Sequence, residues 1–300
     1  MLILPLHRIR EAFLTIFKLN VILDEIKMNQ GLVLTAMQEV KTSLCLRDYE
    51  FKVFSQWGED GIIQHLTRVV EIRNRTFIEF GVESFFESNC RFLMMKDDWS
   101  GFIIDGSANH LNRLRKSHFF WKHELIARNA FITRENINSL LAESGFDQDL
   151  GILSVDIDGN DYHVIEAIVG FRPRILICEF NTVFGPSRKI SVPYAADFYR
   201  TSQHYSNLYF GASLAAITHL AKNRGYSLVG INVANAFYVR NDLLNDRLEV
   251  VTPEQAYFAS KERQSRDSHG NLTFLAGEDR IKILRGMPVV NVETGQMEML

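Results

Sequence analysis

The sequence predicts an α/β domain built on an open, mostly parallel sheet that closes with an antiparallel hairpin. Three observations carry that prediction. Short apolar, β-rich runs alternate with segments whose apolar residues recur at helical spacing, as βα repeats require. The runs end on polar groups: Glu79, Asp105, Asp156 and Glu179. The last two runs, 226–231 and 236–240, are joined only by Asn232-Val233-Ala234-Asn235, a link that suits an antiparallel pair.

Composition narrows the classes. Three hundred residues at 46% hydrophobic and 23% charged are ordinary for a globular chain. A net charge of −3 argues against the basic footprint of a nucleic-acid binder. Cys45, Cys90 and Cys178 are too scattered for a disulfide framework or a zinc site, so a cytoplasmic location is expected. The chain divides into an N-terminal helical segment (1–48), a main domain (49–250) and a C-terminal extension (251–300) placed to cover the mouth of a site.

Residues 1–45 are densely apolar, but Arg8, Arg10, Glu11, Lys18, Asp24, Glu25 and Lys27 interrupt them. No transmembrane segment fits, because none of its windows offers about 18 uncharged apolar residues. The expectation is an amphipathic helix that packs on its own domain or makes a homo-oligomer; a membrane-peripheral helix is the other reading. Residues 55–70 then read as a helix, with Ser55 as N-cap and Ile62, Ile63, Leu66 and Val69 on one face. Gln56, Glu59 and Asp60 near its start either reach a cofactor or complement the helix dipole.

Thr76 to Phe80 is a strand ending at Gly81; 85–95 is helical; 102–104 is a second strand ending on Asp105. Glu79 and Asp105 thus stand at the carboxyl ends of consecutive strands, the ligand-binding edge of such sheets. A carboxylate at the second tip can accept both hydroxyl protons of a ribose. Gly81 admits a ligand close to the backbone. G-x-G-x-x-G is absent, and Glu83 and Glu87 would repel a pyrophosphate. The turn suits a phosphate-free nucleoside, and S-adenosylmethionine is the candidate.

A helix (108–116) leads to a third strand, whose tip offers Asn129 and Ala130 to an adenine ring. After a helix at 133–144, the strand 152–155 ends in three acids, Asp156, Asp158 and Asp161, around Gly159. Three acids so close repel unless a cation, a basic group or a proton offsets them. The next strand ends in Glu179 and Asn181. Asp156 or Asp158 with Glu179 and Asn181 makes an oxygen-rich set for Mg²⁺ or Mn²⁺; in the other reading Asp156 touches the cofactor and the rest cap helices. Residues 184–207 form a long connection read as the acceptor-substrate loop. His163 and His204 are candidate general bases, weighed against satisfied structural histidines. A helix at 211–223 stops at Gly225 as a C′ glycine would. The polar remainder holds a late strand at 288–292.

Asp156-Ile157-Asp158-Gly159-Asn160-Asp161 resembles the D-x-E-G-x-E signature of FkbM-like methyltransferases, with Asp in place of Glu at 158 and 161. Ser55-Gln56-Trp57-Gly58-Glu59-Asp60, the Phe77-Ile78-Glu79-Phe80-Gly81-Val82 turn and Tyr209-Phe210-Gly211-Ala212-Ser213-Leu214 are similar to members found with surface-polysaccharide biosynthesis genes. The likeness spans residues 55–242. It implies a Rossmann-like class I fold and S-adenosylmethionine-dependent methyl transfer, expected to be O-methylation of a sugar or sugar-derived group. It also implies positions: Glu79 and Gly81 flanking methionine and ribose, and Ser88 or Asn89 near the carboxylate end. Asp105 would meet the ribose hydroxyls, Gly106 and Ser107 the adenine, and Asp156 the sulfonium methyl. The expected partner is a small-molecule or carbohydrate acceptor. Two rivals stand beside it: a glycosyltransferase using Asp156-Ile157-Asp158 as D-x-D, and a non-catalytic assembly module.

Overall fold

A computed structural model describes residues 6–259 and 264–300. The chain runs through α1 (Leu6–Gln38), α2 (Glu59–Val69), β1 (Thr76–Phe80), α3 (Arg91–Asp97), β2 (Ser100–Asp105), α4 (Ala108–Arg115), β3 (Leu125–Asn129), α5 (Ile137–Ala142), β4 (Ile152–Val155) and α6 (Asp161–Ala167). There follow β5 (Ile175–Glu179), β6 (Ile190–Ser191), α7 (Arg200–Gln203), α8 (Leu214–Asn223), β7 (Tyr226–Ile231) and β8 (Asn235–Arg240). The C-terminal part adds α9 (Pro253–Ala256), α10 (Glu278–Lys282), β9 (Pro288–Asn291) and β10 (Met297–Met299).

Seven strands form one sheet in the order β3-β2-β1-β4-β5-β8-β7. Every neighbouring pair from β3 to β5 is parallel, and β8 alone runs against both its neighbours. Strands covered on both faces read as continuous apolar runs, which is why 76–80 and 102–104 carry so few polar residues. Ile78, Phe80, Phe102 and Ile104 face one layer, where α5, α6 and α8 pack through Leu141, Ile165 and Ile217. Phe77 and Ile103 face the other, against Ile62, Leu66, Leu93 and Leu114 of α2, α3 and α4. Burying a ring such as Phe77 stabilises the fold by about 2–3 kcal/mol.

A smaller antiparallel sheet, β10-β9-β6, ties the C-terminal extension to the connection after β5. Its own core gathers Ile190, Val192, Phe198, Tyr209, Leu284 and Val289. The 184–207 stretch, featureless by periodicity, is ordered by that sheet.

Several element boundaries differ from expectation: α5 covers Ile137–Ala142 rather than 133–144, and α8 starts at Leu214 rather than 211. The helix after β1 starts at Arg91 rather than near 85. Residues 81–90 form a loop instead, with Glu83 (φ 48°) and Phe85 (φ 60°) in left-handed conformations that no helix accepts. Ser55 does not cap α2, whose first residue is Glu59 with Gly58 as N-cap. The Ser55 hydroxyl donates to Asp60 (2.8 Å), and that carboxylate also accepts the N–H groups of Val53, Phe54 and Ser55. Asp60 therefore closes the turn ahead of the helix.

Candidate active site

The strand order reverses between β1 and β4, and in open sheets ligands bind in the crevice beyond that switch point. Two confluent clefts open there, of about 260 and 300 Å³. Both are lined by Gly81, Glu83, Asp156, Asp158 and Arg200.

Gly81 makes this junction feasible. Its φ is +68°, and a Cβ there would lie 1.7 Å from the Asp156 carbonyl oxygen. Any side chain would push the tips of β1 and β4 apart. Glu79, just before it, is buried and turned back on its own loop. It accepts Ser88 Oγ (2.8 Å) and the N–H groups of Asn89 (2.8 Å) and Cys90 (3.1 Å). This is the force that keeps 81–90 out of helical form. Burial raises the Glu79 carboxyl, and those donors pull it down again.

The larger cleft is mainly apolar in character. Ile104, Ala130, Phe131, Ile132, Phe198 and Tyr199 line it, with Gly106, Ser107 and His110 at one side. The Phe131 and Tyr199 rings stack at 6.0 Å. Asp105 is its anchor: one oxygen accepts from Glu83 N (2.8 Å), the other from Ser107 N (2.7 Å), with His110 Nδ1 at 3.3 Å. A carboxylate offers about four lone-pair sites, so Asp105 keeps acceptor capacity for a ligand. Asn129 is not part of this wall: it is exposed, and its amide donates to the Asp105 carbonyl (2.8 Å).

The smaller cleft is polar. Gln56, Glu79, Glu83, Glu87, Ser88, Asn89, Asp156, Asp158, Glu179 and Asn235 line it, with Gln264 and Arg280 supplied by the C-terminal extension. Carboxylate oxygens of Asp156, Asp161 and Glu179 lie within 4.8 Å of one another. Desolvation, then the charges of Asp158 and Asp161, push the Asp156 carboxyl well above its usual range. Desolvation, then Asp156, does the same to Glu179. In two carboxyls so placed, ionising one disfavours ionising the other. Asp161 is raised to about 6, burial being the main cause. It builds the turn after β4 by accepting Ile157 N (2.7 Å) and Gly159 N (2.9 Å). The last acid of the D-I-D-G-N-D run thus folds the motif.

Several expected roles need correction. Asn181 is buried, with its amide donating to the Leu208 and Phe210 carbonyls (2.9 Å each) and its oxygen accepting Val183 N (2.9 Å). It shapes the loop after β5 while still lining the polar cleft, and Val183 N engages one of the two lone pairs of its oxygen. Asp158 pairs with Arg200, which balances its charge. Of the expected cation ligands, Asp156 and Glu179 bring their oxygens together with Asp161 beside them, and Asn181 lines the same cleft. His163 is buried, with Nε2 2.9 Å from the Val192 carbonyl. His204 Nδ1 lies 2.7 Å from Ser206 Oγ. Neither histidine lines a cleft, so neither is placed as a base. Glu59 turns inward to Asn232 (2.6 Å) and Asn235 (2.9 Å).

Arg200, Phe131, Tyr199, His110 and Asn235 were not singled out from sequence. Phe131 alone carried a signal, since it follows the tip of β3 directly.

The seven-strand order with one reversed strand decides the architecture. It is the class I methyltransferase fold. No protein-family model and no curated protein matches the chain. Solved structures with some likeness include a Staphylococcus aureus protein assigned as a caffeoyl-CoA O-methyltransferase. It is 16% identical, with TM-score 0.40, covering 75% of this chain and 98% of that one. The N-terminal domain of EvdMO1 with S-adenosylhomocysteine bound is 10% identical, with TM-score 0.39, covering 63% and 82%. A methyltransferase from Aquifex aeolicus is 8% identical, with TM-score 0.35, covering 65% and 95%. All three scores fall below 0.5, so the assignment of the fold rests on this chain's own strand order. No described helix is long and apolar enough to cross a membrane.

Proposed function

We propose that this chain is an S-adenosylmethionine-dependent O-methyltransferase of the FkbM-like kind, acting on a hydroxyl-rich acceptor such as a sugar or sugar-derived group. The observation that carries the reading is the division of one crevice into two chemistries. The apolar, aromatic-walled cleft with Asp105 suits an adenosine. The acidic cleft suits a cationic centre and a donor-rich acceptor. When bound, the cofactor supplies an activated methyl group, so the protein's work is alignment, water exclusion and proton removal.

Phe131 and Ile132 offer flat apolar surface to a base, and the spare lone pairs of Asp105 offer acceptors to ribose hydroxyls. In the polar cleft, Glu179 Oε2 and Asn235 Oδ1 are buried acceptors without a hydrogen-bond partner among the described residues. An acceptor left so costs about 1–3 kcal/mol, which an incoming O–H donor would recover. The surrounding acids disfavour phosphate or carboxylate acceptors. The Asp156–Glu179 pair then takes the hydroxyl proton as general base. A divalent cation on the same two carboxylates is the second reading, favoured by the close approach of their oxygens; it would orient the acceptor and lower its pKa. The glycosyltransferase reading needs room for a diphosphate, and Glu83 and Glu87 line the place where it would lie.

The test is calorimetric titration with S-adenosylhomocysteine, with and without Mg²⁺, beside Asp105→Ala. Wild type should bind, and the variant should lose about 10–100-fold. A folded wild-type protein that does not bind sinks the proposal. Methyl transfer to carboxylates rather than sugar hydroxyls would sink the acceptor class alone.

A further inference from the structure

The long helix α1 is docked the wrong way round for a core element. Among its described side chains, the positions it buries are Asp24, Gly31 and Gln38, seven residues apart. Asp24 pairs with the buried Arg91, whose guanidinium lies 3.9 Å from the Phe54 ring centroid and 4.0 Å from that of Phe119. Gly31 lets the helix approach Phe92 and Val53, where a Cβ would fall 2.5 Å from the Phe92 ring. Gln38 donates to the carbonyls of Tyr49 and Gly61. These contacts fix how the helix is rotated on the domain.

The opposite face is apolar and open. Leu19, Leu23, Ile26, Val33 and Met37 are between 46% and 61% exposed. With Gln30, which is exposed as well, they follow an unbroken alternation of four- and three-residue steps, which is the seam of a coiled coil. In that register Leu23, Gln30 and Met37 take the a positions, and Leu19, Ile26 and Val33 the d positions. The sequence of the same helix extends the pattern backwards through Ile16, Ala12 and Ile9.

We propose that α1 pairs with α1 of a second copy in a parallel, in-register, two-stranded coiled coil. Three arguments choose this occupant. The first is Gln30, a lone amide within an apolar seam. An amide carries both donor and acceptor, so its own image satisfies it. Only the parallel, in-register pair sets Gln30 beside Gln30, whereas an antiparallel pair sets it beside an apolar d residue; a single polar a residue fixes register in this way at some cost in stability. Second, flanking positions set Lys27 against Ile22 and Asn29 against Leu34 of the second copy, so no like charges meet. Third, at roughly 80 Å² of apolar surface per half-exposed side chain, the five apolar seam residues and Ile22 from two copies offer about 1,000 Å², the threshold of a specific interface. A helix of 33 residues is about 50 Å long, so the seam reaches beyond that estimate. A membrane-surface helix would present a Lys- and Arg-rich polar face. Here that face is docked on the domain through an acid, a glycine and an amide.

The experiment is sedimentation velocity of the full chain at tens of micromolar, beside Leu23→Glu/Ile26→Glu and Gln30→Val. Wild type should sediment at twice the 34.5 kDa chain mass, and the Glu variant at 34.5 kDa with its melting temperature unchanged. Gln30→Val should tighten association by about tenfold or shift it to larger assemblies. Association unchanged in that variant would put Gln30 outside the seam and overturn the register. In a Cys45→Ser background, which removes the exposed thiol, Leu23→Cys and Val33→Cys should each form a disulfide-linked dimer alone. Cross-linking only when the two variants are mixed would mean an antiparallel pair and overturn the register likewise. A monomeric wild type, or one that floats with anionic vesicles as a monomer, overturns the proposal.

Discussion

The two ends of β4 and β5 treat charge in opposite ways. At their amino ends, Asp149 is held by two arginines: Arg174 through Nε (3.1 Å) and Nη2 (2.5 Å), and Arg240 through Nη1 (2.8 Å). Burial would raise Asp149, but hydrogen bonds from Arg174 and Arg240 hold its carboxyl below the usual range. At their carboxyl ends, Asp156, Asp158, Asp161 and Glu179 share Arg200, and three of them are raised. The same two strands carry a neutralised network at one end and, at the other, four acids that share one arginine. Strain of the second kind gathers where chemistry is done, and it is held in place by the stability of the first.

Glu179→Gln breaks the active end and should give the largest effect. Turnover should fall about 10³-fold if the pair is the general base. Stability should move the other way. A carboxyl raised in the fold contributes stability below its unfolded pKa of about 4 and loses it as pH rises through the folded value. The variant should therefore be about 1 kcal/mol more stable than wild type at pH 8, a gain that vanishes by pH 4. Urea melts at both pH values, set beside initial rates, measure it. A variant less stable at pH 8 would mean that the cluster is structural.

What the sequence could disclose of this contrast was local. Gly81, Asp105 and the acids after β4 are legible because each acts within its own turn: Asp161 folds residues 157–159, and Ser107 N reaches Asp105 two residues back. The succession of strands and helices and the closing hairpin were legible for the same reason, since apolar runs and link lengths are chain-local properties. Arg200 was not, because it meets Asp158 across 42 residues and a connection without periodicity. Asn235 reaches the cleft from the hairpin, and Arg280 from the extension. Direction was hidden as well. An asparagine after a strand reads as a ligand, yet the amide of Asn181 is absorbed by its own loop; the imidazole of His163 is absorbed by the Val192 carbonyl.

Arg174→Ala breaks the quiet end. It removes a buried guanidinium and leaves the Glu71 carbonyl and one side of Asp149 unpaired. The cost should be about 3 kcal/mol, with affinity for S-adenosylhomocysteine unchanged, because the clefts lie at the other end of the strands. Asp149 is lowered in the fold, so its contribution is present above the unfolded value of 3.8 and lost as pH falls through the folded one. The gap between variant and wild type should thus narrow below about pH 4. Equal losses of stability and cofactor affinity would show that the two ends are coupled through the sheet rather than independent.

The finest comparison uses two ligands that differ by one charge. S-adenosylmethionine carries a permanent sulfonium charge, and S-adenosylhomocysteine does not. Asp161 is raised to about 6, with Asp156 and Glu179 above their usual range beside it, so the polar cleft gains negative charge as pH rises from about 5 to about 7. The cationic ligand should gain affinity over that interval, and the neutral one should not. One added unit of interaction is worth about 1.4 kcal/mol, so the affinity ratio should rise about tenfold. Binding of the cation should also release protons, which calorimetry in buffers of different ionisation heat reads directly. In Asp156→Asn/Glu179→Gln the rise should shrink to the share that Asp161 alone contributes. A ratio flat in wild type would place the sulfonium away from these acids, and their raised pKa would then serve the acceptor alone.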